Sequence, residues 1–441
     1  MKYTMIRENL PFDIKKDSIF NIITTNVTPL THGFHKYPGK FIPQIPKWAI
    51  EKYLSNSKDK TILDPFCGSG TTLVEGILHQ HNSIGIDIDP LSVLISKVKT
   101  TKIDLILFNE ITKWLIHNIE NPDKADYTPA CFSINHWFTD DAINKLSIIR
   151  SLIDKIPIFF GDEQAINDIQ DLLIICFSSI IRKVSNADNQ SQKTYVSHTK
   201  IKKPDEVNFQ FLKQLEKYST KISEFSRFVD DSTKSTILCT SSANGIDEIL
   251  KNIKIDLAIT SPPYIKAIDY IYNQMAELFW IGDFFDMETQ YKQNTKKTNY
   301  IGNKQISKKE YSIYSPFESL LNIQELDLKL QEIYTLDTKN GHKHSYLTYK
   351  YFLEMEMHFL SMSKVLSKDS HYIMVVGNSS VSNVSFETAN YLVKLAERNG
   401  FILHNKWGYK IKNRFMRFNR KGRGGLIQID WVLDFRKKCN T

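Results

Sequence analysis

The chain has 441 residues, 41% of them hydrophobic and 24% charged, with a formal net charge of +8 and a sequence pI of about 8.9. It is too long for one small domain and too apolar for a disordered chain, and its mild basic excess suits a polyanionic partner without proving one. The five cysteines (67, 131, 176, 239 and 439) are scattered, without a CxxC pair or histidines at ligand spacing, which argues against a disulfide framework or a structural metal. The N-terminus lacks the apolar core of a signal peptide. The longest apolar run, residues 171–181, is too short and interrupted to span a bilayer, so a reducing cytoplasm with no membrane contact is the expected setting.

Residues 1–30 read as an irregular arm. Residues 31–41 (THGFHKYPGKF) are turn-rich, and 43–54 (PQIPKWAIEKYL) have helical apolar spacing. Residues 61–63 open a short buried strand that runs into 64–72 (DPFCGSGTT). Helical spacing returns from 72 to about 80, and 83–88 (SIGIDI) make a second strand. Asp89-Pro90 then starts a helix, Asp supplying the capping oxygen and Pro the φ of the first turn. Strand, glycine loop, helix, strand, helix is the first half of a doubly wound α/β sheet. The alternation stops over residues 101–234, which are mixed and largely helical, and resumes with strands at 235–239 and 255–259. Later strands are expected at 372–376 and 426–435. The predicted fold is therefore α/β: residues 1–100 hold the arm and the first half of a Rossmann-like sheet, 101–234 an insertion, and 235–441 the second half, with a further polar insertion at about 283–348.

Three motifs carry chemistry. In Asp64-Pro65-Phe66-Cys67-Gly68-Ser69-Gly70-Thr71-Thr72, Gly68 and Gly70 let a strand-to-helix turn approach a ligand closely. Asp64 at the strand end can receive an ammonium or hydroxyl. The string lacks the Gly-Lys-Ser/Thr ending of a phosphate loop, which argues against a nucleoside triphosphatase. In Gly85-Ile86-Asp87-Ile88-Asp89-Pro90, Asp87 stands about twenty residues past the glycines, where a ribose diol is held in nucleoside-binding α/β folds, with Ile88 placed to pack on an adenine face. Helix capping is the competing reading, and for Asp89 the better one. In Thr260-Ser261-Pro262-Pro263-Tyr264, two prolines fix the backbone after a buried strand. An exocyclic amine is a poor nucleophile because its lone pair is delocalised into the ring. Accepting its two hydrogens at the Ser261 side chain and the Pro262 carbonyl would localise that pair, and Tyr264 would stack the base.

At these residues the sequence resembles the amino-methyltransferases of DNA, the N4-cytosine and N6-adenine enzymes of restriction–modification systems. The resemblance covers about residues 31–100 and 235–435. It implies a Rossmann-like methyltransferase sheet, S-adenosylmethionine as cofactor, double-stranded DNA as substrate and a bacterial or archaeal cell; it leaves open a cognate restriction endonuclease as partner. It implies cofactor contacts from His35, Lys36, Tyr37 and Lys40 before the glycine motif, from Asp64, Pro65, Phe66, Gly68, Gly70 and Thr71 in it, and from Asp87 and Ile88. Catalysis would rest on Ser261, Pro262, Pro263 and Tyr264. Residues 265–282 resemble the helix that lines the cofactor pocket after this motif. A Ser in the first position leans towards cytosine N4, an Asp towards adenine N6. The acidic residue that often follows the third strand is absent here, and Ser241 or Ser242 is the expected substitute.

A target amine inside a duplex is out of reach, so this reading requires base flipping. The clearest phosphate-gripping stretch is 409–425, where Lys412, Arg414, Arg417, Arg420, Lys421 and Arg423 meet no acid and alternate with Phe415 and Phe418. Residues 101–234 lead as the base-reading region, with 283–348 second. A C5-cytosine enzyme would need a nucleophilic Cys after Pro, and no Pro-Cys occurs. Adenine N6 transfer, an RNA or protein amino-methyltransferase and a non-catalytic specificity subunit are the remaining alternatives.

Overall fold

The computed structural model describes all residues except 1–3, 8, 24–25, 27, 56, 132, 189–193, 200, 244, 266–268, 297–299, 303–305, 337–339, 412–426 and 439–441. Its strands are β1 (Thr4–Arg7), β2 (Ile19–Ile23), β3 (Thr61–Asp64), β4 (Asn82–Asp87), β5 (Ser235–Cys239), β6 (Ile255–Thr260), β7 (Leu366–Gly377), β8 (Ser379–Val381), β9 (Val384–Phe386), β10 (Phe401–Lys410) and β11 (Ile429–Lys437). Strands β8 and β9 pair only with each other; the rest form one nine-stranded sheet in the order β1-β2-β10-β11-β7-β6-β3-β4-β5. From β7 through β6, β3 and β4 to β5 all pairs are parallel, and β11 is antiparallel to both β7 and β10.

Strand alternation divides the core between two faces. Ile62, Leu257, Ile259, Ile373 and Val375 point to one side, where Trp48 and Ala49 of helix Gln44–Leu54 cover them. Their neighbours Leu63, Ala258, Tyr372, Met374 and Val376 point to the other, under helices Gly341–Val365 and Thr388–Arg398. Between β4 and β5 the chain builds helices Leu105–Glu120, Asp140–Phe160, Gln164–Val184 and Val207–Ser226. They share a third core with helix Pro90–Thr100 and with Met275–Ile281. Helix Gln164–Val184 contains the apolar run 171–181 and, at 21 residues, is long and apolar enough to cross a membrane, but most of it is buried within the protein.

The N-terminal arm departs from the expectation. It is not wholly irregular: β1 and β2 pair in parallel, and β2 adds them to β10 at the sheet edge. Phe20 and Ile22 alternate into the core, Phe20 meeting Trp407 edge-on at 5.5 Å. A strand of five residues with its partner nearly four hundred positions away leaves little local signal. Strand β10 was likewise not marked in the sequence, because its outer face carries polar residues, and β11 begins three residues later than expected.

Candidate active site at the glycine turn and proline corner

Strand β3 lies between β4 and β6, so connections leave it in both directions and open a crevice beyond the carboxyl ends of the strands. That crevice encloses about 770 Å³ of space, its open mouth included. The glycine turn lines it with Pro65, Phe66, Cys67, Gly68, Ser69 and Thr71, and the end of β4 with Asp87, Ile88 and Asp89. Thr240, Ser241 and Ser242 follow from β5, and Ser261 and Pro263 from the proline corner.

The turn is held from several sides. Gly68 adopts φ 49°, and its N–H donates to Asp87 Oδ2 at 2.8 Å, while Asp89 N–H donates to Asp87 Oδ1 at 2.9 Å. Burial, then the charge of Asp89, raises the Asp87 carboxyl to about 7. A Cβ on Gly68 would stand 3.1 Å from the Tyr37 ring. Gly70, at φ 73°, answers a different demand: its Cβ would lie 2.9 Å from Ser96 Oγ, so it permits close packing of helix Pro90–Thr100 and does not line the cavity. Asp64 is fully buried beneath the turn and is not itself among the cavity-lining residues. Its Oδ1 accepts from Thr260 Oγ1 at 2.6 Å and from Phe66 N at 3.1 Å, while Oδ2 has no partner. Burial raises this carboxyl to about 6. Lys99, also fully buried, donates to the Ser69 carbonyl at 2.7 Å, and burial pulls its ammonium well below the usual lysine range.

At the proline corner, β6 runs beside β7 with Thr260 opposite Met374. The Ser261 hydroxyl donates to the Val375 carbonyl at 3.1 Å. That bond uses its hydrogen and leaves oxygen lone pairs as acceptors. Tyr264 is not among the cavity-lining residues. Its hydroxyl donates to Asp430 Oδ1 at 2.8 Å, and its ring packs where a Cβ on Gly377 would be 3.0 Å away.

Residues 7–97 match the family model described as a DNA methylase, of the N6/N4 amino-methyltransferase type. The Type II methyltransferase M.MvaI of Kocuria varians is 27% identical over 414 residues, covering 89% of this chain and 87% of that protein. The likeness to the N6/N4 amino-methyltransferases is thus strongest over the glycine-turn region. Another Type II methyltransferase, M.MjaII of Methanocaldococcus jannaschii, is 43% identical over 99 residues, 22% of this chain and 18% of its own. A solved rRNA methyltransferase, aviRa from Streptomyces viridochromogenes, aligns over 91% of this chain and 88% of its own at 10% identity with a TM-score of 0.30, too loose a superposition to bear on fold or substrate.

Around this cavity, residues 31–41 divide. Tyr37 and Lys40 line the cavity, with the Tyr37 ring stacked 5.6 Å from Tyr270. Lys40 donates to the His32 carbonyl at 3.1 Å, and burial lowers its ammonium to about 8. His35 and Lys36 do not line it. The His35 ring meets Ser178 Oγ at 3.1 Å and the Lys36 carbonyl at 3.0 Å, and burial lowers it to about 4, so it is a neutral tie to the inserted helix Gln164–Val184. Lys36 stands exposed. Asp89 caps helix Pro90–Thr100 by accepting from Leu91 N and Ser92 Oγ, and also reaches the cavity. Ser241 lines the cavity while accepting from Ala243 N at 3.3 Å. Pro262 is buried behind the corner. Lys412, Arg414, Arg417, Arg420, Lys421 and Arg423 lie outside the described residues.

Sequence reasoning missed four contributors: Lys99, Tyr300, Ile301 and Asp430. Tyr300 and Ile301 bring the 283–348 insertion back to the cavity. Asp430 left no signal of its own, since its strand also carries Asp434, Arg436 and Lys437. Among the described residues no cluster of His, Cys, Asp and Glu could hold a metal ion.

Proposed function

We propose that this chain transfers a methyl group from S-adenosylmethionine to the exocyclic amine of a flipped DNA base, with cytosine N4 as the target. The observation that carries the reading is that Ser261 of the proline corner and Gly68 of the glycine turn line one cavity. Donor and acceptor sites must adjoin for a direct transfer.

The residues present fit the cofactor. The unpartnered Asp64 Oδ2 suits an ammonium, and the Asp87 carboxylate suits a ribose diol. Tyr37, Tyr270 and Ile88 supply flat and apolar surface. When bound, the cofactor supplies an electrophilic methyl sulfonium. The protein's part is to orient the amine. Ser261 Oγ, its hydrogen engaged by Val375, accepts one amine hydrogen; the Pro262 carbonyl accepts the other, and the lone pair is freed towards the cavity. Cys67 is buried in the turn and its thiol is pushed well up by burial, which favours direct transfer over a cysteine adduct. The Ser in the first motif position favours cytosine. The near full-length likeness to a Type II methyltransferase favours duplex DNA over RNA and a working enzyme over a specificity subunit, and sets the chain beside restriction–modification enzymes. Phosphate contacts from 412–423 and base reading by 101–234 complete the proposal.

The test is incorporation of labelled methyl groups into unmethylated duplex DNA, with RNA as the comparison. Ser261→Ala is expected to lower incorporation at least a hundredfold, on the order of an oriented donor–acceptor pair, with cofactor affinity by calorimetry within about twofold. Full activity in Ser261→Ala refutes the catalytic assignment.

A further inference from the structure

Asp430 sits at the start of β11, opposite Gly377 of β7 and Tyr409 of β10. It is 9% exposed. An ionisable group is seldom held at such depth without a partner, and among the described residues no arginine or lysine pairs with it. The Tyr264 hydroxyl donates to its Oδ1 at 2.8 Å, and the buried Tyr409 phenol faces the same carboxylate. The approach depends on Gly377. A Cβ there would fall 3.0 Å from Tyr264 Cε2, 3.3 Å from Asp430 Oδ1 and 2.6 Å from Ile427 Cγ2, so any side chain would wedge the two apart. On the opposite edge of β7, where β6 pairs with it, Ser261 is tied to Val375, two residues before Gly377. Strand β7 therefore anchors the corner twice, through its own carbonyl at Ser261 and through the gap it leaves between Tyr264 and Asp430.

We propose that Asp430 is a positioning residue of methyl transfer, acting through the Tyr264 hydroxyl to fix the plane of the ring that stacks the target base. A phenol ring beside a pocket can turn about its side-chain torsions. A hydrogen bond to a carboxylate restrains it, and such charge-assisted bonds are roughly twice as strong as neutral ones. Asp430 touches neither base nor cofactor in this account; its influence passes through one hydroxyl. The inference rests on the reading of Ser261–Tyr264 as the transfer corner.

The test is a double-mutant cycle on the full chain, using labelled methyl transfer to unmethylated duplex DNA. Asp430→Ala and Tyr264→Phe are each expected to lower kcat about tenfold, with cofactor Kd within about twofold. The double variant should be no slower than either single variant. Asp430→Asn, which keeps an oxygen acceptor, should recover most of the rate and guards against loss of fold in Asp430→Ala. Additive losses would overturn the proposal, as would an unchanged kcat in Tyr264→Phe. So would an Asp430→Ala defect that follows the folded fraction and appears equally in Asp430→Asn. If the wild-type chain methylates no DNA, the transfer reading itself fails; that outcome is distinct from a failed cycle in an active enzyme.

Discussion

Replacing Asp64 by Asn should stabilise the empty protein while weakening its cofactor. The carboxyl is fully buried and keeps its proton until about pH 6, against an ordinary value of 3.8. The folded state thus binds this proton more tightly than the unfolded chain, so its contribution to stability falls as pH rises from 3.8 through 6. Above that window the ionised group destabilises the fold by at most about 3 kcal/mol. Asn keeps an oxygen for Thr260 Oγ1, which now donates at 2.6 Å, and exchanges the unpartnered Oδ2 for an unpartnered amide nitrogen without the charge. Urea unfolding should show a gain of roughly 1–3 kcal/mol at about pH 8, shrinking to about a third of that near pH 4.5. Calorimetry at the higher pH should show cofactor affinity down roughly ten- to a hundredfold, the range for losing a hydrogen bond to a charged group. An equal stability change at both pH values, or unchanged affinity, would refute the reasoning.

Cofactor affinity should itself depend on pH. The Asp87 carboxyl ionises at about 7 and Asp64 at about 6, while Lys40 keeps its proton up to about 8. Affinity is therefore expected to peak between about pH 7 and 8, falling on the acid side as the carboxylates protonate and on the alkaline side as Lys40 loses charge. Calorimetry gives the profile directly; one that is highest at about pH 5.5 would contradict it. In Asp87→Asn the part of the acid limb nearest pH 7 should disappear. Neutralising Arg417, Arg420 and Arg423 together should weaken DNA binding alike on all sequences and reduce the slope of log affinity against log salt by about 3; an unchanged slope would remove the stretch from the interface.

The sheet was legible where its strands run straight into chemistry. Residues 61–72, 83–90 and 255–264 announce themselves because apolar strand, special turn and polar ligand follow within a few positions, and glycine or proline marks each turn. Strands β1, β2 and β10 were not legible, since their burial comes from partners distant in the chain: Phe20 is core only because Trp407 meets it. The site was legible to the same depth. Asp87 and Ser261 follow from their motifs. His35 and Lys36 share a segment with Tyr37 and Lys40 but not a direction, and only the packing of helix Gln164–Val184 against His35 decides this. Gly70 looks identical to Gly68 in the motif, yet its neighbour is Ser96 rather than the Tyr37 ring at the cavity. Tyr300 and Asp430 reach the site from segments without a local motif, so tertiary structure alone discloses them.

The most direct test of methyl transfer to a ring amine is mass spectrometry of the nucleosides from unmethylated duplex DNA treated with the purified protein and S-adenosylmethionine. N4-methylcytosine is the predicted product. N6-methyladenine would contradict the cytosine assignment, and 5-methylcytosine, or no methylated nucleoside at all, would contradict amine transfer itself.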